Sequence, residues 1–457
     1  MLTGGVLAQQ DSVQVLSFDR YMQLVKDHHP IARQAALQVQ LGEATLLQSK
    51  GLFDLQAFTS VAQKYYDGTR YYSKIDGGLK LPTWFGLELK SGYEQNEGVY
   101  LDPERTTPSG GLWYAGVSVP VGQGLFIDKR RAELKKARTY IGMTKTDQQI
   151  MLNDVLFAAG KVYWDWFSAY QNLEVYRDAL SLSQERFDAV KQGAELGDRP
   201  FIDTLEAGIQ VQNRLVGVQQ TQLDFANATA MLEIYLWAEG VVPLELVEGT
   251  IPESIERVEA SAADEAISQR SDSLIGSHPE LARYGFQLEQ LEIEKQWQRE
   301  QMKPTLNLNY NAIAEPVGGD LFSSYSINNY TWGLNFQMPL FLRRERGAIQ
   351  LAELRIQETV LDAELKNASL LFKASASLNE WNATKDQADV YARTVQDYAG
   401  LLEGERQLFN SGESSLFMVN ARELGYINAQ INQIEILAKN QKAKLSAAHA
   451  FGQLWNQ

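Results

Sequence analysis

Apolar and polar side chains alternate along several short stretches of this chain. In residues 329–339, with the sequence NYTWGLNFQMP, every second side chain from Tyr330 onward is apolar and those between are small or polar. Alternation with a period of two predicts a β-strand with two unlike faces. In a soluble sheet the apolar face covers a core, whereas in a membrane barrel it meets lipid and the polar face lines water. The stretch alone leaves both interpretations open.

The order of predicted elements occurs twice. Residues 28–51 resemble residues 277–300, and each segment opens with a His-Pro pair, His29-Pro30 or His278-Pro279, ahead of a predicted helix. Proline is favoured at the first helical position because the N–H at that position has no partner in any case. We therefore expect two repeats, and for the two histidines either a capping role or exposure to solvent.

Predicted strands follow each of these helices. Outgoing strands begin in residues 53–61 and 304–310, and return strands in residues 111–120 and 331–339 each end in proline, which removes a ladder donor and stops pairing. Each return strand is followed by a basic segment.

The first repeat has a longer insert between its strands than the second. Within residues 67–110, the stretches 70–81 and 84–93 can form an extra hairpin, in which Phe85 and Leu87 continue the alternation. Residues 98–111, rich in proline and glycine, predict an external loop. We expect about four to six strands per chain.

Two very long helices come next. From about Asp128 to Gly193, and again from about Arg346 to Ser411, there is no proline and little glycine. A helix of about 65 residues is about 95–100 Å long, too long for one globular core, so we expect coiled coil. Heptad spacing supports this expectation at Leu173, Tyr176, Leu180, Phe187 and Val190, at Ala388, Tyr391, Val395, Tyr398, Leu402 and Phe409, and on the returning helix at Leu424, Ile427, Ile431, Ile434 and Ala438.

Each long helix ends at a short turn that contains glycine. The turns are residues 196–207 and 411–422, and an acidic residue follows each glycine. Glycine allows the positive φ that ends a helix. We expect Asp198 in the first turn, and Ser414 or Ser415 in the second, to cap the next helix. An ordinary αα-hairpin turn accounts for these residues, so any function depends on their place at the far end of a long hairpin.

This duplicated order of helix, strands and long helical hairpin resembles the TolC-type outer membrane efflux protein family. The resemblance runs from about Leu16 to Asn456 and rests on that layout and on two segments, QERFDAVKQGAELGDRPFIDTLEA and GERQLFNSGESSLFMVNARE. In the family an acid often stands six residues after the turn glycine. Asp203 fits this pattern in the first turn, whereas Met418 stands at the equivalent place in the second.

One difference between the two turns is a change of length. The spacer from Phe187 to Gly197 is seven residues longer than the spacer from Phe409 to Gly412. Seven residues are one heptad, so the helix keeps its face while the hairpin grows.

The resemblance implies an α+β membrane protein that acts as a homotrimer. The strands of three chains would form one transmembrane β-barrel in the outer membrane of a Gram-negative-type cell, and the antiparallel coiled-coil helices a periplasmic tunnel. Few strands cannot close a barrel or cover their own edges, which independently favours a trimer. The residues expected to face lipid are Trp332, Leu334, Phe336, Leu306 and Leu308, with Asn335 and Gln337 facing water.

The implied function is a passive exit duct of a tripartite efflux or type I secretion system. A periplasmic adaptor (membrane fusion) protein and an inner-membrane transporter would engage and open it. Drug efflux, metal efflux and protein secretion share this architecture, so the cargo stays open. An alternative is a coiled-coil structural or adhesive outer-surface protein with a small β cap; uncharged strand faces opposite aromatic-ended apolar faces favour the duct. Candidate adaptor-contacting residues at the tips are Gly197, Asp198, Arg199, Gly412, Glu413 and Ser414.

A tunnel of this kind must be closed at its periplasmic end. We hypothesise that Arg422 contacts Asp203 or Glu206, within or between protomers, and holds the end closed. Exposed pairs are each worth at most about 1 kcal/mol, which suits a gate that a partner must open. Phe417 and Met418 are the apolar alternative for the gate.

Composition narrows the function classes. The chain has 457 residues with 57 acidic and 42 basic side chains, a net charge of −15 that argues against a nucleic-acid partner. It has no cysteine, which excludes disulfides and thiol chemistry. No run of about 18 apolar residues occurs, so no transmembrane helix is predicted. The four histidines lack metal-ligand spacing, and no nucleophile elbow or phosphate loop is present. We expect no enzyme, cofactor or metal site.

The repeats define the expected domain organisation. Residues 1–15 are expected to be a signal remnant or disordered tail, because Val6-Leu7-Ala8 before Gln9 resembles the end of an export signal. The first repeat covers residues 16–237 and the second residues 278–457. Between them, residues 238–277 form a linker, expected to be a small mixed collar with a short strand near Val242–Val247.

Overall fold

The computed structural model describes residues 14–261, 276–316 and 325–456, so the predicted signal remnant and part of the linker lie outside the described residues. No helix in these ranges is both long and apolar enough to cross a membrane. The helices are α1 (Phe18–His28), α2 (Pro30–Lys50), α3 (Lys129–Glu195), α4 (Phe201–Glu233), α5 (Ile255–Ser261), α6 (Pro279–Glu300), α7 (Arg343–Asn410) and α8 (Leu416–Ala450). The strands are β1 (Val15–Leu16), β2 (Gln56–Tyr66), β3 (Thr69–Pro82), β4 (Glu88–Glu97), β5 (Leu112–Pro120), β6 (Trp237–Ala238), β7 (Val242–Pro243), β8 (Ile251–Pro252), β9 (Thr305–Ala314) and β10 (Tyr330–Gln337).

Six strands form one antiparallel sheet in the order β10-β9-β5-β4-β3-β2. The extra hairpin in the insert is therefore confirmed as β3 and β4. Its second strand begins later than expected, because Phe85 and Leu87 lie in the connecting turn rather than on β4. The Thr83 N–H closes this turn on the Leu87 carbonyl at 2.8 Å, and Gly86 adopts a φ of +100° that a side chain would disfavour.

The chain divides into two compact units, each with segments from both repeats. The first unit comprises the described parts of Met1–Leu37, Asp147–Leu281 and Leu365–Gln457. The second unit comprises Gln38–Thr146 and the described parts of Ala282–Glu364, and it contains the six-stranded sheet. The repeat boundaries predicted above therefore differ from the boundaries of these units, and they stay a prediction.

The core of the first unit is aromatic. Tyr21, Tyr163 and Trp166 are fully buried, and the Tyr163 hydroxyl donates to the Leu16 carbonyl at 2.8 Å. Burial raises the pKa of Tyr21 and of Tyr163, so both phenols stay neutral. Full burial of one such side chain contributes about 1.5–3 kcal/mol, and this cluster ties α1 to the middle of α3.

The two His-Pro pairs start helices as expected, and the capping interpretation of the histidines is correct. The His29 ring Nδ1 accepts the Ile31 N–H at 3.2 Å, and the His278 Nδ1 accepts the Glu280 N–H at 3.1 Å. Both rings are buried, so the alternative of solvent exposure is wrong. Burial lowers the pKa of each histidine, which keeps Nδ1 free to accept.

The two turns between long helices have the same backbone geometry. Gly197 and Gly412 have φ of +83° and +81°. The N–H groups of Gly197 and Asp198 bond to the carbonyls three and five residues earlier, and those of Gly412 and Glu413 do the same, which is the Schellman arrangement.

The two helices that follow these turns start differently. Ser415 caps α8 by accepting the Met418 N–H at 3.4 Å, as expected, and Ser414 instead donates to Glu405. The predicted cap Asp198 is wrong: Pro200 is the residue before α4, and no side chain caps that helix.

The strand predicted near Val242–Val247 in the linker is shorter than expected. Strand β7 is two residues long and pairs with β6, because Pro243 cannot donate to a longer ladder. The collar itself stays a prediction.

Candidate functional site at the hairpin tips and on the two-faced sheet

The register places the apolar strand residues on one face of the sheet. Leu334 lies directly opposite Leu308, and Phe336 lies opposite Leu306, and opposed side chains share a face. The five residues predicted to face lipid therefore share one face, although contact with lipid stays a prediction. The register across the other strands adds Tyr310, Val117, Val119, Leu89, Leu81, Leu79, Ile75 and Val61 to this face.

The other face is polar, and its character changes across the sheet. On β9 and β10 it is uncharged, with Asn335 opposite Asn307, as the sequence predicted. On the extra hairpin it is charged. The charged side chains on this face are Lys74, Asp76, Lys80, Glu88, Lys90 and Glu94.

Hydrogen bonds on the polar face run across the strands. The Tyr114 hydroxyl donates to Asp76 Oδ1 at 2.8 Å, and Lys80 Nζ lies 3.1 Å from Glu88 Oε1. The Tyr114 side chain lies over Gly92, where a Cβ would meet the hydroxyl oxygen at 2.6 Å. Glycine at position 92 thus makes room for a polar bridge over the sheet.

Exposed aromatic side chains gather at both ends of the strands. At the end that joins the helices they are Trp84, Phe85, Phe126 and Phe341, and at the opposite end they are Tyr65, Tyr66, Tyr100, Tyr325 and Tyr330. An apolar band between two aromatic girdles is typical of membrane-spanning β-structure.

Both tips belong to the first unit and pack on each other. Val190 of α3, Ala207 of α4 and Leu416 of α8 form a buried cluster against Phe187 and Phe409. The Arg199 guanidinium lies 4.1 Å from the centre of the Phe409 ring. Among the six predicted adaptor-contacting residues, Gly197, Asp198, Gly412 and Glu413 are exposed, whereas Arg199 and Ser414 are half-buried and engaged within the chain.

A buried polar network connects the two hairpins near these tips. Arg186 of α3 donates from Nη1 to Asn420 Oδ1 at 2.9 Å and to Glu423 Oε2 at 2.7 Å, both on α8. Asn420 Nδ2 in turn donates to Glu206 Oε1 on α4 at 3.0 Å. Glu423 is only 2% exposed, so its charge depends on Arg186. Sequence reasoning missed Arg186, Asn420 and Glu423; a charged residue inside an apolar helical stripe was the available signal.

The structure pairs the predicted gate residue Arg422 with a residue outside the hypothesis. Within the described chain, Arg422 Nε lies 3.5 Å from Glu405 Oε2, and the structure shows no ion pair from Arg422 to Asp203 or Glu206. Glu206 belongs to the buried network, and Phe417 is exposed while Met418 is partly buried. A contact of Arg422 with Asp203 or Glu206 between protomers stays a prediction.

A tyrosine packs on a glycine in both hairpins. A Cβ on Gly217 would meet the Tyr176 ring at 2.4 Å, and a Cβ on Gly425 would meet the Tyr398 ring at 2.8 Å. Gly217 stands 20 residues after Gly197 and Gly425 stands 13 after Gly412, a difference of seven. The two tyrosines differ by the same seven residues from their turns. The tyrosine–glycine contact therefore lies one heptad further from the turn on both arms of the first hairpin, although the helices have nearly the same lengths, 67 and 33 residues in the first hairpin against 68 and 35 in the second.

This fold, a two-faced sheet with long helical hairpins, is similar to the fold of solved outer membrane channels. Residues 271–453 match the family model described as outer membrane efflux protein. The chain is 21% identical over 296 residues to the probable outer membrane lipoprotein SilC of Salmonella typhimurium; the match covers 64% of this chain and 62% of that protein, less than two thirds of its length.

Solved structures extend the likeness to nearly the whole chain. The CmeC outer membrane channel of Campylobacter jejuni matches with a TM-score of 0.66 at 14% identity, over 95% of this chain and 85% of that one. The open state of the MtrE outer membrane channel of Neisseria gonorrhoeae matches with a TM-score of 0.67 at 12% identity, over 96% and 89%. These matches confirm the resemblance to outer membrane efflux proteins. The relatives are channels rather than enzymes, in agreement with the expectation of no enzyme.

Proposed function

We propose that this chain forms the outer membrane exit duct of a tripartite efflux or type I secretion system, a passive channel made by three copies. The two-faced sheet carries this proposal. Its strands have 8 to 14 residues, close to the 9–11 that a tilted strand needs to cross a bilayer. An apolar face between aromatic girdles suits lipid, and a charged and polar face suits a water-filled lumen.

The sheet edges support the trimer. Strands β2 and β10 are the edges, and each pairs with only one strand in the described ranges. Open sheet edges are costly in lipid because their unpaired backbone N–H and C=O groups have no water to form hydrogen bonds with. Three copies of a six-stranded sheet would supply about 18 strands, a size at which barrels enclose an aqueous channel.

The helices also support association of copies. On α4 the apolar residues Ile202, Ile209, Val216 and Leu223 are exposed and spaced by strict heptads. A stripe of this spacing is the seam of a left-handed coiled coil. A neighbouring copy would bury this stripe and complete a tunnel wall.

The tips are the proposed gate and docking end. Asp203, Glu206 and Arg422, or the apolar pair Phe417 and Met418, would hold the closed state. A periplasmic adaptor bound to an inner-membrane transporter would contact the exposed turn residues. The two turns have the same backbone geometry, which supports a shared docking role because one chain then presents two similar surfaces.

A matched pair of substitutions on β10 tests the proposal. Leu334→Arg places a charge on the apolar face and should cost about 2–4 kcal/mol in lipid, which abolishes assembly. Asn335→Arg, one residue further on, places the same charge on the polar face and should be tolerated. Native mass spectrometry in detergent measures the trimer, and planar bilayers measure conductance.

Three results would contradict parts of the proposal. Equal tolerance of both arginines would mean that the faces are wrongly assigned. A wild-type chain that stays monomeric in detergent would exclude the shared barrel. A wild-type trimer that never conducts would favour the structural or adhesive alternative.

A further inference from the structure

An open pocket lies where the helices of the second unit join the sheet. It has a volume of about 370 Å³ and is lined by residues of the β5–α3 connection, the start of α3, the end of α6 and the α6–β9 connection. The N–H groups of Val121 and Gln123 bond to the carbonyls of Leu306 and Pro304 at 2.7 and 2.8 Å, so the β5–β9 ladder continues to the edge of the pocket. The pocket therefore has a fixed position at one end of the strands.

The lining is cationic although the whole chain is acidic. Three basic side chains, Lys135, Arg299 and Lys303, face one carboxylate, Glu300. Glu300 is 5% exposed and already engaged: it accepts the Phe126 N–H at 3.2 Å and pairs with Lys303 at 2.7 Å. Arg299 has only a long contact, 3.4 Å to Glu353, and Lys135 has no ion pair within the described residues. The pocket thus presents unneutralised positive charge.

An exposed aromatic ring stands beside these cations. Phe126 is 72% exposed, and Lys303 Nζ lies 4.3 Å from the centre of its ring. The second repeat has the same pairing, with Phe341 69% exposed and the Arg343 guanidinium 5.3 Å from its ring centre. An exposed ring next to a cation is the arrangement that side chains adopt at a lipid–water boundary, with the ring in the apolar layer and the charge at the headgroups.

We propose that this pocket binds the headgroup phosphate of an anionic phospholipid, with Lys135, Arg299 and Lys303 around the phosphate and Phe126 against the acyl region. Glu300 acts as the positioning residue that fixes the loop and Lys303. A free phosphate ion would not use the exposed ring, which is why we assign the site to lipid. The inference rests on the proposed function, since that places the helix end of the sheet at a membrane surface.

The test is a lipid titration of the full-length protein in detergent, read by native mass spectrometry. Phosphatidylglycerol is the anionic probe and phosphatidylcholine the neutral one. Each basic side chain near an anionic lipid surface adds roughly a fivefold gain in binding. The triple variant Lys135→Gln, Arg299→Gln, Lys303→Gln should therefore bind phosphatidylglycerol up to about a hundredfold more weakly, with phosphatidylcholine binding unchanged. Lys135→Gln alone should bind phosphatidylglycerol about fivefold more weakly. Because Lys135 is exposed and has no ion pair within the described residues, this variant keeps the test valid if the triple variant misfolds.

A control of equal charge separates local from global electrostatics. The triple variant Arg177→Gln, Lys191→Gln, Lys439→Gln removes three exposed cations from the first unit and should bind phosphatidylglycerol like the wild type. An equal loss in this control would overturn the site. Displacement of bound phosphatidylglycerol by inorganic phosphate at comparable concentration would show a soluble-anion site and overturn the lipid assignment.

The outcome is distinguishable from failure of the proposed function. Wild-type protein that conducts in bilayers but prefers neither lipid overturns the pocket alone. Wild-type protein that neither trimerises nor conducts overturns the exit duct, whatever the lipid titration gives.

Discussion

The two helical hairpins have helices of nearly equal length, but the segment between a shared contact and the turn is longer in the first hairpin, and by the same amount on both arms. In each, a tyrosine of the outgoing helix packs on a glycine of the returning helix, and in the first hairpin both partners lie seven residues further from the turn. Growth on one arm alone would shift one helix against the other and break every contact beyond the insertion. Growth by one heptad on both arms, about 10 Å, preserves each facing pair, because a coiled-coil face repeats every seven residues.

The two hairpins differ in an ion pair near the turn. In the second hairpin Glu405 pairs with Arg422. With the heptad offset, Ser183 and Arg214 occupy the corresponding places in the first hairpin. Arg214 is 6% exposed and has no ion pair or hydrogen bond within the described residues. The first hairpin therefore keeps the arginine but lacks its counter-charge, so among the described residues an ion pair joins the two arms at this position in the second hairpin and not in the first.

The largest expected effect comes from cutting the network that joins the hairpins. Arg186→Met leaves the Glu423 carboxylate buried without a partner, which should cost about 3–5 kcal/mol in the free energy of unfolding. Denaturant titration of the helical circular dichroism signal measures it. Replacing both partners, Arg186→Met with Glu423→Leu, should restore most of the loss, because no unpaired charge remains.

A matched control for that network is Arg177→Met. Arg177 pairs with Glu174 at 2.8 Å on an exposed helix face, so its loss should stay within about 1 kcal/mol. If the two arginine substitutions cost the same, the buried network does not hold the hairpins together.

A smaller effect is expected from adding a methyl group at the glycine of each tyrosine–glycine contact. Gly217→Ala forces the Tyr176 ring to move and should cost about 1–3 kcal/mol, less the helix propensity that alanine gains. Gly425→Ala meets Tyr398 at a longer distance and should cost less. Gly404→Ala, with no atom near its Cβ, should instead stabilise by up to about 1 kcal/mol. Stabilisation by Gly217→Ala would refute the close contact.

Replacing Arg214 and replacing Arg422 should change the stability of the protein in opposite directions. Arg214→Met removes a buried charge without a partner and should raise the thermal midpoint, by about 1 kcal/mol in free energy. Arg422→Met removes a partly exposed pair and should lower stability by up to about 1 kcal/mol. Both are measured by thermal unfolding of the detergent-solubilised protein. Destabilisation by Arg214→Met would instead indicate a carboxylate partner on a neighbouring copy.

Local pattern was enough to predict much of this fold. The absence of proline and the heptads from about Asp128 to Gly193 predicted a helix found at Lys129–Glu195. The alternation of apolar residues predicted which strand residues share a face. It failed at Phe85 and Leu87, because the alternation continues through the turn in which Gly86 adopts a positive φ.

The tip network could not be predicted in the same way. Arg186 and Glu423 are 237 residues apart in sequence, and no local period relates them. Within the chain, Arg422 pairs with Glu405 and not with the predicted Asp203 or Glu206. Glu405 lies on the preceding helix of the same hairpin, whereas Asp203 and Glu206 belong to the other hairpin.

The smallest expected effect concerns the gate, where the two hairpins are proposed to meet in the closed state. Glu206→Ala should perturb it most, since Glu206 is bonded to Asn420, followed by Arg422→Ala and then Asp203→Ala, which has no ion pair within the described residues. Each change is worth at most about 1 kcal/mol, so open probability in planar bilayers should rise by up to about fivefold. Asp188→Ala, an exposed acid on α3, is the control and should conduct like the wild type. If all three tip variants also conduct like the wild type, tip charges do not set the closed state. Apolar packing by Phe417 and Met418 is then the better account, and Phe417→Ala should open the channel instead.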